Sequence, residues 1–445
     1  MKITFIGAGS TVFLKNIVGD LFQTPDIPQD MTLALYDIDE NRLSESRYVV
    51  EALIAQYNDG RGRIETFHGT SNRRDAVRGA DFVMNMIQVG GYRPSTVADF
   101  DIPKEFGLRQ TIADTLGIGG IFRGLRTIPV MLDLVTDMEA VAPSAILLNY
   151  TNPMAIVTGA VQESSSIATV GLCHSVQDTA EPLLKALGME IPSRLRWRIA
   201  GINHMAWLLD IRDGEQDLYP EIRSRALAKN EAALADPEKR HTDMIRYEIM
   251  RLFGYYITES SEHNAEYTPF WIKSKFPEMI ERYNIPLDEY PRRCEEQIKD
   301  WSTQREALMA GGTIEHTRSR EYAARIVRAA WTGAHTVIHG NTLNTNGLIS
   351  NLPREAVVEV ATIVDGMGLH PTSAGALPPQ CAALNQTNIN VQTLTIQAAL
   401  QQRKDHVYQA ALLDPHTAAE LPPDTILAMC DRLFDAHKDL LPTYR

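Results

Sequence analysis

The stretch that most limits what this chain can become lies at its start. Lys2-Ile3-Thr4-Phe5-Ile6 is a short apolar run, and Gly7-Ala8-Gly9-Ser10 follows at once. Apolar residues then recur at helical spacing through Val12, Phe13, Ile17, Val18 and Leu21. A strand, a glycine turn and a helix in that order make a dinucleotide-binding fingerprint credible. Gly7 permits the tight turn, and Gly9 lets the backbone approach a pyrophosphate at the helix N-terminus, where Ser10 and Thr11 also stand. Val12 takes the place of the usual third glycine, which predicts a helix set slightly further from its strand. The next apolar run, Leu33-Ala34-Leu35-Tyr36-Asp37, ends in a carboxylate. An acid at that point hydrogen-bonds an adenosine ribose and repels a 2′-phosphate, so Asp37 is the candidate ribose ligand for NAD. The plainer alternative is a strand-end or helix-capping acid, a duty open to Asp39 ahead of the helix near Glu40.

Phe82 to Met86, Ala145 to Asn149 and Thr169 to Leu172 read as further strands, with helical patterns over 42–57 and 122–141. Strands alternating with helices imply a parallel sheet. The fold class expected is α/β: an N-terminal Rossmann-type doubly wound parallel sheet followed by a mixed α+β, helix-rich C-terminal domain. A shift in pattern near 190–200 divides the chain into a NAD-binding domain, 1–195, and a substrate, metal and oligomerisation domain, 196–445. In the second part Trp207 to Ile211 reads as an antiparallel strand entering a hairpin at Arg212-Asp213-Gly214. Helices are expected over 246–253, 320–330 and 392–412, and a charged helical excursion over 286–307 is expected to pack against a second subunit.

A chain of 445 residues is long for one core, and two domains are the default. Its net charge of −13 repels nucleic acid and anionic membranes, so neither is expected as a partner. Cys173, Cys294, Cys381 and Cys430 form no disulfide pattern, which suits a reducing compartment. Without a long apolar stretch or a leader ahead of the first strand, a cytoplasmic location is expected.

Two residues bear metal chemistry. Gly171-Leu172-Cys173-His174-Ser175-Val176 closes the strand at Thr169, and Gly201-Ile202-Asn203-His204 closes an apolar run from Arg198. Ligands bind at the carboxyl ends of strands in open α/β sheets, and thiolate and imidazole are both metal ligands. Spacing alone does not separate such a pair from a buried cysteine and a packed histidine. Polar groups also gather at Gln88-Val89-Gly90-Gly91 and at Asn149-Tyr150-Thr151-Asn152-Pro153, where Asn152 is either a helix cap or a substrate contact. Asp114 to Gly120 reads as a glycine-rich loop ahead of Arg123 and Arg126. The polar run from Thr258 to Pro269 contains Tyr267, either a packed aromatic or a base whose pKa a neighbouring cation lowers. Arg318 to Tyr322 reads as a solvated helix start.

Taken together, Gly7-Ala8-Gly9-Ser10, Asn149-Tyr-x-Asn152-Pro153, Cys173-His174-Ser175-Val176, Gly201-Ile-Asn203-His204 and Glu266-Tyr267 resemble glycoside hydrolase family four nearly from end to end, and most closely its α-galactoside-cleaving (melibiase) members. The resemblance implies an enzyme that uses NAD and a divalent metal, usually Mn2+, outside the usual two-carboxylate route. In that family carbon 3 of the sugar is oxidised, the carbon 2 proton is removed, the leaving alcohol is expelled, water adds and carbon 3 is reduced again. By resemblance Cys173 and His204 are the metal ligands and Tyr267 is the carbon 2 base. His174 is the candidate acid or sugar-orienting group, and Asn152, Asn149 and Arg320 are candidate substrate contacts. The partner implied is a small glycoside, and a homodimer or homotetramer is expected. The same machinery acting on α-glucosides or α-uronides is the main alternative, with Arg93, Arg123 or Arg320 available to a uronate. A hydroxy-acid dehydrogenase needs no thiolate ligand, and an NAD-sensing regulator lacks a basic helix here.

Overall fold

The computed structural model describes residues 1–309 and 314–445. Its thirteen strands form one sheet. β1 (Lys2–Ile6), β2 (Thr32–Asp37), β3 (Arg63–His68), β4 (Phe82–Asn85), β5 (Ile146–Asn149) and β6 (Thr169–Gly171) make a parallel wing in the order β3-β2-β1-β4-β5-β6. That is the dinucleotide-binding strand order, with the switch between β1 and β4. The wing continues into an antiparallel one made of β7 (Leu195–Ile202), β8 (Met205–Asp213), β9 (Gln216–Asp217), β10 (Tyr256–Ile257), β11 (Thr336–Leu343), β12 (Val357–Asp365) and β13 (Gly368–Pro371). From β6 the order runs β11-β12-β7-β8-β10, with β13 on β12 and β9 on β8. The α/β class therefore holds, and the second half of the chain extends the sheet of the first. No described helix is long and apolar enough to cross a membrane.

Apolar residues of the early strands and helices make the central core, with Ile3, Phe5, Leu14, Ile17, Val18 and Leu21 all fully buried. Ala323, Ile326, Val327 and Ile338 from the second half join that cluster. Val12 is 46% exposed. Its side chain does not separate helix Thr11–Phe22 from β1, so the missing third glycine costs no packing.

Several boundaries differ from expectation for local reasons. Gly117 to Gly120 form the first turn of helix Gly117–Val141, not a loop. A Cβ on Gly119 would stand 2.5 Å from the Ala113 carbonyl oxygen and one on Gly120 2.7 Å from the Thr115 backbone, so these glycines serve close packing. Asn152 does not cap the next helix, Met154–Ser164, which makes no side-chain cap bond. The pattern over 392–412 is two helices, Pro379–Gln401 and Lys404–Leu413, parted by Gln402 at φ 53°. The segment from Arg318 to Tyr322 precedes helix Ala323–Thr332 rather than beginning it, and Tyr322 is buried. The charged helix runs Glu289–Met309, with Trp301 and Arg305 bonded to Glu45.

Gly19 shows how tightly the halves meet. A Cβ there would lie 2.5 Å from the His316 ring, whose Nε2 bonds Asp20 at 2.9 Å. Alanine normally stabilises a helix position by about 1 kcal/mol over glycine. Here the methyl overpacks, at a cost of about 1–3 kcal/mol, so the sign reverses. Gly19→Ala should lower the urea unfolding midpoint of the protein.

Candidate functional site

β8 is the element that assembles the site. Ile202 pairs with Met205, leaving Asn203 and His204 as a two-residue hairpin turn. Gly201 faces Ala206 so closely that a Cβ on it would meet the Ala206 Cα at 2.5 Å. His204 takes a left-handed backbone, φ 62°. It thus sits in an antiparallel turn rather than at the end of a parallel strand, because β7 runs opposite to β12, and β11 runs opposite to both β12 and β6. On the other side of β8, β10 pairs with Trp207 and Leu208. Thr258 then exchanges bonds with Ala206, its N–H donating to the Ala206 carbonyl at 2.8 Å and its Oγ1 accepting from the Ala206 N–H at 3.0 Å. This delivers Glu259, also left-handed at φ 64°, beside His204.

Cys173 arrives two residues past the end of β6. Its Sγ lies 3.3 Å from His204 Nε2, and Glu259 Oε2 lies 3.4 Å from the same nitrogen. One donor atom from each of Cys173, His204 and Glu259 falls within 4.8 Å of the others. Burial, with the Glu259 and Glu359 carboxylates adding to it, pushes the Cys173 thiol well above its ordinary range. Burial opposes ionisation of Glu259, but His204 and His263 hold it down at about 2. A carboxylate kept ionised beside a thiol kept protonated is the arrangement a divalent cation would relieve. Sulfur, nitrogen and oxygen donors suit a borderline transition metal, and three protein ligands leave positions open. Asn203, fully buried in the same turn, has no hydrogen-bond partner for either amide atom among the described residues.

The other imidazole nitrogen, His204 Nδ1, lies 3.0 Å from the Tyr267 hydroxyl. Tyr267 is fully buried, and burial together with Asp114, Glu266 and Glu259 pushes its pKa well up. His263 stacks edge-on against His204 at 4.9 Å, with Nδ1 2.7 Å from Ser260 Oγ. Burial holds His263 below its usual range. Its Nε2 faces Asp114 at 4.0 Å, and Asp114 accepts from Asn152 Nδ2 at 3.0 Å. Burial opposes ionisation of Asp114, but Arg123, His263 and His204 keep its pKa low. Arg123 is spent on its neighbours: the Asn152 carbonyl at 3.2 Å, the Tyr290 hydroxyl at 3.1 Å and Asp114 at 4.0 Å.

Cys173, His204, Tyr267 and, through Asp114, Asn152 are therefore brought together. Asn149 is not: its amide bonds Asn85, Thr158 and the Thr151 backbone, so it builds the turn after β5. Arg320 is exposed and ion-paired with Asp178, with no contact to the cluster. His174 is exposed beside Cys173, its Nδ1 3.5 Å from Glu321. Glu259, Asp114 and His263 were visible in the sequence only as polar residues within longer runs. The pairing of Thr258 with Ala206 that brings Glu259 beside His204 has no local signature.

The glycine turn is shaped for a nucleotide. Gly7 is at φ 83°, and its N–H and that of Ala8 both donate to the Tyr36 carbonyl. A Cβ on Gly9 would collide with Asp37 Oδ2 at 2.7 Å and Arg42 at 2.8 Å. Asp37 accepts from the Gly9 and Asp39 N–H groups, while Asp39 caps the following helix. Thr11 Oγ1 meets Ser46 at 2.8 Å, and Ser10 makes no cap bond, leaving the helix N-terminus open.

A model described as family 4 glycosyl hydrolase matches residues 2–189, and one for the C-terminal domain of that family matches 199–417. An alpha-galactosidase of Bacillus subtilis (strain 168) is 53% identical over 444 residues, covering 100% of both chains. An alpha-galactosidase of Rhizobium meliloti (strain 1021) is 34% identical, covering 100% of this chain and 89% of its own. A 6-phospho-alpha-glucosidase from gut microorganisms, solved in complex with NAD and Mn2+, superposes with TM-score 0.80 at 19% identity, covering 100% of this chain and 99% of its own.

A buried acid beneath the cluster gives a pH test. Glu359, on β12, is fully buried, and burial raises its pKa to about 8. An unfolded glutamate titrates near 4.3, so the folded state holds a proton the unfolded state loses between these values. Stability carried by that proton is present below about pH 4.3 and is lost as pH rises through about 8, by up to about 1.4 kcal/mol per unit. With metal removed by chelator, Glu359→Gln should show a flatter fall in melting temperature than the wild type between about pH 6.5 and 8.

Proposed function

Because the chain belongs to family 4 of the glycosyl hydrolases, we propose that it hydrolyses α-galactosides, with NAD held at the Gly7-Ala8-Gly9 turn and a divalent cation such as Mn2+ held by Cys173, His204 and Glu259. The observation that carries the reading is the two-sided use of His204: Nε2 faces the thiol and the carboxylate, and Nδ1 faces Tyr267 at 3.0 Å. Bound at these two places, the dinucleotide supplies a reversible hydride acceptor for carbon 3 and the cation supplies Lewis-acid polarisation of the neighbouring oxygens.

The chain's own residues do the rest. With Nε2 committed to the donor cluster, His204 carries its proton on Nδ1 and donates it to the Tyr267 oxygen, which fixes both ring and phenol. Tyr267 then acts as acceptor for the carbon 2 proton. Positive charge at the cluster opposes the burial that otherwise holds its phenol neutral. His174, at the exposed rim, hands a proton to the leaving alcohol. Asn152 and Asp114, bonded to each other, offer one donor and one acceptor face to sugar hydroxyls, and Asp37, Ser10 and Thr11 line the nucleotide side.

Full-length identity to two α-galactosidases supports a galactoside. The charges support a neutral sugar over a uronide: Arg123 is committed to Asp114, Tyr290 and the Asn152 carbonyl, and Arg246 to Asp243 and the Ile257 carbonyl. A uronate there would meet Asp114 and Glu259 beside two guanidiniums already committed, which costs the charge-assisted pairing such recognition needs.

Nitrophenyl α-galactoside should be cleaved only when NAD+ and Mn2+ are both present, with no net NADH absorbance during turnover, and the α-galacturonide should be cleaved far more slowly. Cys173→Ala should abolish the metal response together with the activity. Cleavage without NAD+, or full rate in Cys173→Ala after metal removal, would refute the reading.

A further inference from the structure

Glu266, the residue before Tyr267, is buried with its carboxylate turned onto a loop remote in sequence. It accepts the N–H of Thr111 at 2.9 Å, that of Ala113 at 2.8 Å and that of Ile112 at 3.3 Å. Three consecutive amides converge on one side chain because Ala113 is left-handed, φ 49°. The loop has little room elsewhere. Gly119 and Gly120 press against Ala113 and Thr115 from the helix side, and the Thr111 hydroxyl donates to the Glu262 carbonyl at 2.7 Å. What the loop carries next is Asp114, bonded to Asn152 and facing His263 at 4.0 Å, and Thr115, whose hydroxyl donates to Asp114 Oδ1 at 2.7 Å. The chain thus leaves the loop, reaches the cluster through Asp114 and Thr115, and is tied back to the residue preceding Tyr267.

We propose that Glu266 is a positioning residue: by gathering the N–H groups of Thr111, Ile112 and Ala113, it locks the loop bearing Asp114 and Thr115 to the backbone of Tyr267, and so sets the gap between the proton acceptor and the sugar-facing wall. This rests on the reading of Tyr267 as the carbon 2 base. The three amides satisfy a buried carboxylate and in doing so tie three consecutive loop residues to the residue that precedes Tyr267. A glutamine in its place turns one acceptor into an N–H2 group facing a backbone N–H, which pushes the loop away without removing volume.

The test uses the full chain with NAD+ and Mn2+, and nitrophenyl α-galactoside carrying hydrogen or deuterium at carbon 2. Glu266→Gln should lower kcat by about tenfold to a hundredfold, since small misplacements of a reacting group are that costly. KM should stay near the wild-type value and the deuterium effect on kcat should grow, because proton removal becomes slower. Mn2+ affinity, measured on the protein without substrate, should not move. Wild-type kcat and isotope effect in Glu266→Gln would overturn the proposal, as would loss of Mn2+ binding in step with activity. If Glu266→Gln does not fold, Thr111→Ala, which removes the second tie, carries the test: a smaller change in the same direction supports it, and wild-type behaviour overturns it. The base reading is checked separately by exchange of the carbon 2 proton with solvent in the wild type, which Tyr267→Phe should suppress. No exchange in the wild type refutes that reading and the proposal with it. Exchange in the wild type with an unaffected Glu266→Gln refutes the proposal alone.

Discussion

The site depends on the orientation of one imidazole. His204 occupies a two-residue turn with a left-handed backbone, and Gly201 lets the strands on either side of that turn close completely. Asn385 fixes the turn from behind, donating to the Met205 carbonyl at 2.7 Å and accepting from Trp207 Nε1 at 3.1 Å. A ring held this firmly can serve two neighbours at once, and its two nitrogens divide the cluster into a donor side and a proton-transfer side. Asn388 secures the second side by donating to the Tyr267 carbonyl at 3.1 Å.

Electrostatics explains why these groups tolerate one another. Glu259, Glu359, Asp114 and Glu266 all surround the half-buried Cys173 thiol and the fully buried Tyr267 phenol, the groups that the proposed reading makes anionic. Burial alone drives both toward their neutral forms. The imidazoles His204 and His263 and the guanidinium of Arg123 hold Glu259 and Asp114 ionised. Such a site is poised rather than relaxed, because the net charge it accumulates is the charge a divalent cation would cancel.

The nucleotide half was legible because its signals are local. A turn that needs Gly7 at positive φ, and a Gly9 pressed on Asp37, leave their mark on adjacent residues, and β1, β2, β4, β5 and β6 are near-continuous apolar runs. β3 was missed because Arg63-Ile64-Glu65-Thr66-Phe67-His68 lies at the sheet edge, where polar residues are tolerated. β11 and β12 were missed because they carry His339, Asn341 and Glu359 inward, breaking the alternation that marks a half-buried strand. Cys173, His204 and Tyr267 were singled out through their motifs, and the fold brings their side chains together. Glu259 was not, since its place is set by pairing between β10 and β8 and by a backbone conformation that nothing in Thr258-Glu259-Ser260 announces. Asn149 and Arg320 were chosen by motif and charge; the fold bonds Asn149 to Asn85, Thr151 and Thr158 and pairs Arg320 with Asp178, neither of which adjacent residues announce.

The measurement that bears most directly on this account is anomalous diffraction at the manganese edge from crystals of the full chain grown with Mn2+ and a reductant. The account predicts one peak within bonding reach of Cys173 Sγ, His204 Nε2 and a Glu259 oxygen together, with Tyr267 still on His204 Nδ1. A peak held by carboxylates away from Cys173, or a cluster that stays empty at saturating Mn2+, would contradict it.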